Sequence, residues 1–295
     1  MDVHPLLQTL LGTTTCIDGV PPLTPRRSTS ADPNIITKLP PIISRLTLIS
    51  FIGIIAIWAN HEASKGFSIT ILNDAGKLSL SRKHFSLFYE SNDKATRIVL
   101  NASTFVENLL YPNNYQHFLH TKKQINGVTL RLAPNNFPTM VTVESPKPHE
   151  YIINLSPSVM ENSNNNDAIV MAVLQGMARV WLWDGDGVTP AVLLNGMVEY
   201  ISSLAGFKMT EFVKKSGGEN NEICWKSEDP RRVAGFLRYY DQRKQVAGGG
   251  GGGGGVVIRL LNEGMRKGWN DGMVDDALGM AGSLACASYY DIEFV

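Results

Sequence analysis

The stretch Gln175-Gly176-Met177-Ala178-Arg179-Val180-Trp181-Leu182-Trp183-Asp184-Gly185-Asp186-Gly187 decides how this chain folds. It starts inside a run, residues 168–183, whose apolar side chains recur at helical spacing, and it ends in alternating Asp and Gly, where backbone freedom makes a helix costly. Upstream, the Asn-rich residues 161–167 offer Asn166 or Asp167 as a cap whose oxygen accepts from the free N–H groups of a first turn. The spacing therefore predicts a helix over 168–183. Trp181 and Trp183 are expected to fill a core. Residues 184–187 read as a closing turn, because a calcium loop would need an oxygen ligand at Val188 and a Glu at its twelfth position.

Working outward, residues 191–204 repeat the helical period, as do 103–110, 256–267 and 275–290, while 67–72, 128–132, 139–143 and 151–155 alternate as strands do. The expected fold class is α+β. Residues 248–255 are eight consecutive glycines, expected to form a floppy surface loop because no packed element tolerates that entropy cost. The run lacks the Lys-Ser/Thr that phosphate-binding loops carry, so nucleotide binding is not expected.

The quoted stretch resembles the signature of the plant basic secretory proteins, in which an HExxH helix runs into an aromatic pair and an NGNG-like turn. The similarity continues through Leu193-Leu194-Asn195-Gly196-Met197-Val198-Glu199-Tyr200 and Ala205-Gly206-Phe207. It extends to Asn73-Asp74-Ala75-Gly76, Phe236-Leu237-Arg238-Tyr239 and Met265-Arg266-Lys267-Gly268-Trp269, covering roughly residues 66–293. The resemblance implies a zincin-like fold, with a small twisted sheet packed on the former active-site helix and a mainly helical C-terminal half. It also implies an association with plant defence.

In that family two histidines one helical turn apart face a zinc ion, and a Glu between them activates bound water. This chain has Gln175, Gly176 and Arg179 at those positions, Asn195 where the family has a Glu, and Glu199 with nineteen residues between it and Arg179. Gln offers only a neutral oxygen, Arg179 sets a permanent cation where a dication would sit, and Gly176 has no side chain. No cofactor is expected, since the zinc ligands are replaced. An ion pair between Arg179 and Glu199 could stand in for the metal. His117 and His120 lie one turn apart but have no acidic or thiol neighbour in sequence, so surface or packing roles are expected. No Ser-His-Asp or Cys-His arrangement is recognisable among the six histidines.

Residues 1–41 carry seven prolines and no sustained apolar period, and read as a disordered cytosolic tail. Residues 42–59 follow, strongly hydrophobic and uncharged but for Arg45, and reach about 27 Å as a helix. The preferred reading is a single membrane span, with a buried core helix or a cleaved signal as alternatives. Arg26, Arg27, Lys38 and Arg45 precede it and only Lys65 follows closely, which by the positive-inside bias puts the N-terminus in the cytosol and residues 66–295 outside. A secreted or soluble chain is the alternative. Asn101 and Asn154 head acceptor triplets for N-glycosylation. Cys16, Cys224 and Cys286 are too scattered for a disulfide scaffold; Cys224 and Cys286 could bridge or stay as buried thiols.

Lys and Arg number 27, as do Asp and Glu, so no net field draws the chain to nucleic acid, and no nucleic-acid partner is expected. The expected function is a non-catalytic, membrane-anchored family member that binds a peptide or cell-wall ligand in the inherited cleft. A residual metallopeptidase with rebuilt ligands and a purely structural membrane protein are the alternatives.

Overall fold

A computed structural model describes residues 47, 49–51, 66–76, 79–112, 122–161, 166–208, 224–247 and 254–292. Four strands form one mixed sheet: β1 (Ser68–Asn73), β2 (Gly127–Leu132), β3 (Val141–Lys147) and β4 (Glu150–Leu155). Their order is β1-β2-β4-β3; the first three neighbours run parallel, and β3 pairs antiparallel to β4 at the edge. The fold is α+β, as the periodicities indicate.

The helices are α1 (Leu80–Phe85), which runs into a π-turn over Ser86–Glu90, then α2 (Lys94–Leu110), α3 (Asn166–Trp181) and α4 (Ala191–Leu204). They continue with α5 (Pro230–Ala247), α6 (Val256–Met265), α7 (Gly272–Leu278) and α8 (Gly282–Ile292). Helix α2 buries Ala95, Ile98, Val99, Ala102, Val106 and Leu110, a stripe at three- and four-residue steps. Helix α3 packs beside α2, beside α4 and on β3 and β4, and nearly all of its circumference is buried. Its hydrophobicity on every side is thus that of a central core helix.

Three expectations change. The helix expected over 103–110 begins at Lys94. The one expected over 275–290 is two helices, because Gly279 takes φ 76° and closes α7. The single-pass membrane topology with an extracytoplasmic domain is corrected: among the described residues no helix is long and apolar enough to cross a membrane. Most of the 42–59 segment lies outside the described residues, as do the 1–41 tail, His117, His120, Cys16 and residues 248–253.

Cys224 and Cys286 form a disulfide with Cα atoms 5.5 Å apart. Asn154 is 6% exposed on β4, where its amide donates to Glu144 Oε1 at 3.0 Å. Asn101 lies half-buried on α2, and Ser103 of its triplet is buried, accepting from Trp181 Nε1 at 3.0 Å.

Candidate active site

Helices α3 and α4 run antiparallel, so positions one turn apart on each meet in order. Gln175 Nε2 donates to Glu199 Oε1 at 3.3 Å, and one turn on Arg179 Nη2 donates to Asn195 Oδ1 at 2.7 Å. Gln175, Arg179, Asn195 and Glu199, singled out in the sequence, thus form two polar rungs across one helix pair. The expected Arg179–Glu199 ion pair is not formed. Each of the two takes a neutral amide as hydrogen-bond partner, because the antiparallel register sets 175 against 199 and 179 against 195.

Glu199 is half-buried, and that burial pushes its carboxyl above the usual range, while Arg231 and then Arg179 pull it back down. Burial of its surroundings lowers the Arg179 guanidinium and the Glu199 charge opposes the shift. Arg231 is held elsewhere: its Nε and Nη2 grip the Asp229 carboxylate at 3.0 and 2.8 Å, and Arg231 in turn holds that carboxyl below its ordinary value.

Gly176 explains why the helix can lie so near the sheet. A Cβ placed there would stand 2.6 Å from Ile153 Cγ2 on β4, and Ile153 is fully buried. The volume that a general-base side chain would need at its root is therefore occupied by Ile153. Gly176→Ala, which helix propensity alone would favour by about 1 kcal/mol, is expected to destabilise by about 1–3 kcal/mol through overpacking. Urea unfolding of Gly176→Ala with and without Ile153→Ala checks this, since the second change should remove most of the penalty caused by the first.

The donor set does not fit zinc. It comprises two neutral amides, one cation and one carboxylate, whereas zinc takes thiolate, imidazole and carboxylate ligands. Among the described residues no three His, Cys, Asp or Glu side chains come together in a way that could hold a metal ion.

Beyond these positions, the end of α3 carries a cluster that sequence reasoning missed. Tyr111 OH donates to Trp181 O at 3.0 Å and accepts from Asn262 Nδ2 at 3.2 Å, and Asn262 Oδ1 accepts from Trp183 N at 2.9 Å. Burial pushes the Tyr111 hydroxyl up to about 12. Lys123 Nζ donates to Leu182 O at 2.6 Å, with the Tyr151 and Trp183 rings 5.2 and 5.5 Å away. It thus satisfies a carbonyl just past the helix end, where a cation is also favoured by the helix dipole. The segments it joins are far apart in sequence, so no local signal marks it. The 184–187 turn closes as expected, with Gly187 N and Thr189 N donating to Asp184 O, both at 3.2 Å.

Burial pushes the Lys123 amine from its ordinary 10.5 down to about 8, partly opposed by Asp184. The unfolded chain then binds the proton more tightly than the folded one, so this group's contribution to stability is full above the unfolded value and fades as pH falls through about 8. Between pH 8 and 10 the folded state should gain on the order of 2 kcal/mol from it. Denaturant midpoints over that range should rise in the native chain and stay flatter in Lys123→Met.

An α+β scaffold with a mixed four-stranded sheet, a central helix beside its antiparallel edge strand and a crossing partner helix is the class of architecture these observations define. The family model described as peptidase of plants and bacteria (BSP) matches residues 64–289, and the chain belongs to this family. No curated protein and no solved structure matches the chain.

Proposed function

We propose that this chain is a non-catalytic member of its peptidase family that binds a peptide where its relatives would cleave one. The observation that carries the reading is Gly176 packed against Ile153: the general-base position has no side chain and no space for one. A positioned base contributes about 10² to 10⁴ in rate, and at the two rungs the one carboxylate, Glu199, is bonded to Gln175. The donor chemistry at Gln175, Arg179, Asn195 and Glu199 supports the same reading. Peptide is favoured over other ligands because, among the described residues, β3 is an edge strand beside α3, and an edge strand offers backbone groups to an extended chain.

The test is metal content by mass spectrometry on the purified full chain, together with hydrolysis of a general protein substrate. Zinc well below one equivalent and no hydrolysis above buffer is the expected result. One tightly held zinc per chain, or turnover abolished by a chelator, would overturn the reading in favour of a peptidase with rebuilt ligands.

A further inference from the structure

The polar rungs between α3 and α4 leave one group with unused capacity. Arg179 is exposed, and among the described residues its side chain makes one hydrogen bond, from Nη2 to Asn195 Oδ1. A guanidinium carries five N–H donors in a rigid planar fork. The bond to Asn195 fixes one arm of that fork, so part of the ordering cost of binding is met before any ligand arrives. Of the neighbouring anions, Glu199 accepts from Gln175 and acts on Arg179 only through its charge, and Asp229 is gripped by Arg231. Arg179 is therefore a positioned cation whose remaining donors have no carboxylate partner among the described residues.

We infer that Arg179 anchors a binding site for a peptide carboxylate, either a C-terminus or an acidic side chain, between α3 and α4. The inference rests on the non-catalytic binding reading above and adds the ligand chemistry. A planar carboxylate matches the fork with two parallel N–H···O bonds. A phosphate dianion fits less well, because Glu199 stands close by and the second nearby arginine, Arg231, is already spent on Asp229.

The experiment titrates the full chain with three peptide probes, acetyl-trialanine, its C-terminal amide and an amidated acetyl-Ala-Glu-Ala, and with inorganic phosphate for comparison. Binding is read by calorimetry and by the Nε–Hε resonance of Arg179. At least one carboxylate probe should bind about tenfold tighter than the uncharged amide and shift that resonance, and the two carboxylate probes separate a C-terminus from a side chain as its source. Arg179→Gln should erase the preference while leaving the melting temperature near that of the native chain, and Arg179→Lys should keep only part of it. Equal binding of charged and uncharged probes, undetectable binding of all three, a preference that survives Arg179→Gln, or tighter binding of inorganic phosphate would each overturn the inference. In a chain that is zinc-free and inactive, those failures leave the non-catalytic reading standing. Zinc-dependent cleavage of the probes would overturn that reading itself.

Discussion

Asp241→Ala is expected to cost the domain about 4 kcal/mol, the largest single-residue loss anticipated here, because it orphans several buried donors at once. Asp241 lies on α5 and is fully buried. Its carboxylate accepts from Tyr200 OH at 2.7 Å on α4, from Gly255 N at 2.6 Å and from Val257 N at 2.9 Å, with Gln245 Nε2 at 3.2 Å. Burial, followed by this hydrogen bond, pushes the Tyr200 hydroxyl far above its usual range, so it stays a donor at any pH near neutral. Gly255 takes φ 98° and precedes α6 without a side chain to cap it. The carboxylate from α5 supplies that cap from across the fold, at the helix end where a negative charge is favoured.

The eight-glycine run thus ends on an anchor. Asp241→Asn keeps the volume but turns an NH2 group toward N–H donors, and should cost about 2 kcal/mol. Urea midpoints of both variants check the ordering. A loss below about 1 kcal/mol for Asp241→Ala would mean that solvent reaches the orphaned groups and that the anchor is dispensable.

Reduction of Cys224–Cys286 is the second large effect. The bridge joins residues 62 apart, and constraining a loop of that length in the unfolded chain is worth about 4 kcal/mol in the chain-entropy account. Both sulfurs are buried. Helix α8 is also held on α5 by Tyr240 OH donating to Ala285 O at 2.8 Å and by the Tyr289 ring, which meets the Phe236 and Tyr239 rings at 5.6 and 5.5 Å. Added thiol reductant should lower the urea midpoint of the native chain and leave the double Cys224→Ala, Cys286→Ala variant unmoved. A native chain that ignores reductant while its thiols become titratable would show that packing alone secures α8. The stabilisation is realised only where thiols are not kept reduced.

The elements that were legible share one property, a strong local signal. Helix α3 had a continuous apolar period, and β2 alternates Val128, Leu130 and Leu132 toward the core. Helix α5 was hidden because its buried residues, Val233, Ala234, Phe236, Leu237 and Tyr240, are interleaved with Arg231, Arg232, Arg238, Arg243 and Lys244, which blurs the period. The first half of α2 was hidden in the same way, since Ala95 and Ala102 are too small to register as an apolar stripe beside Lys94, Arg97 and Asn101.

The sequence by itself determined the fold class, the central helix and the family, and it singled out Gln175, Gly176, Arg179 and Asn195 as positions to examine. These depend on residue identity and on spacing within single elements. Tertiary structure alone decided who pairs with whom: Gln175 with Glu199 and Arg179 with Asn195, Ile153 against Gly176, Asp241 at the entry to α6, and Cys224 with Cys286. Each of those contacts joins segments distant in the chain, and its geometry is fixed by helix register and sheet packing, quantities that no local pattern of residues encodes.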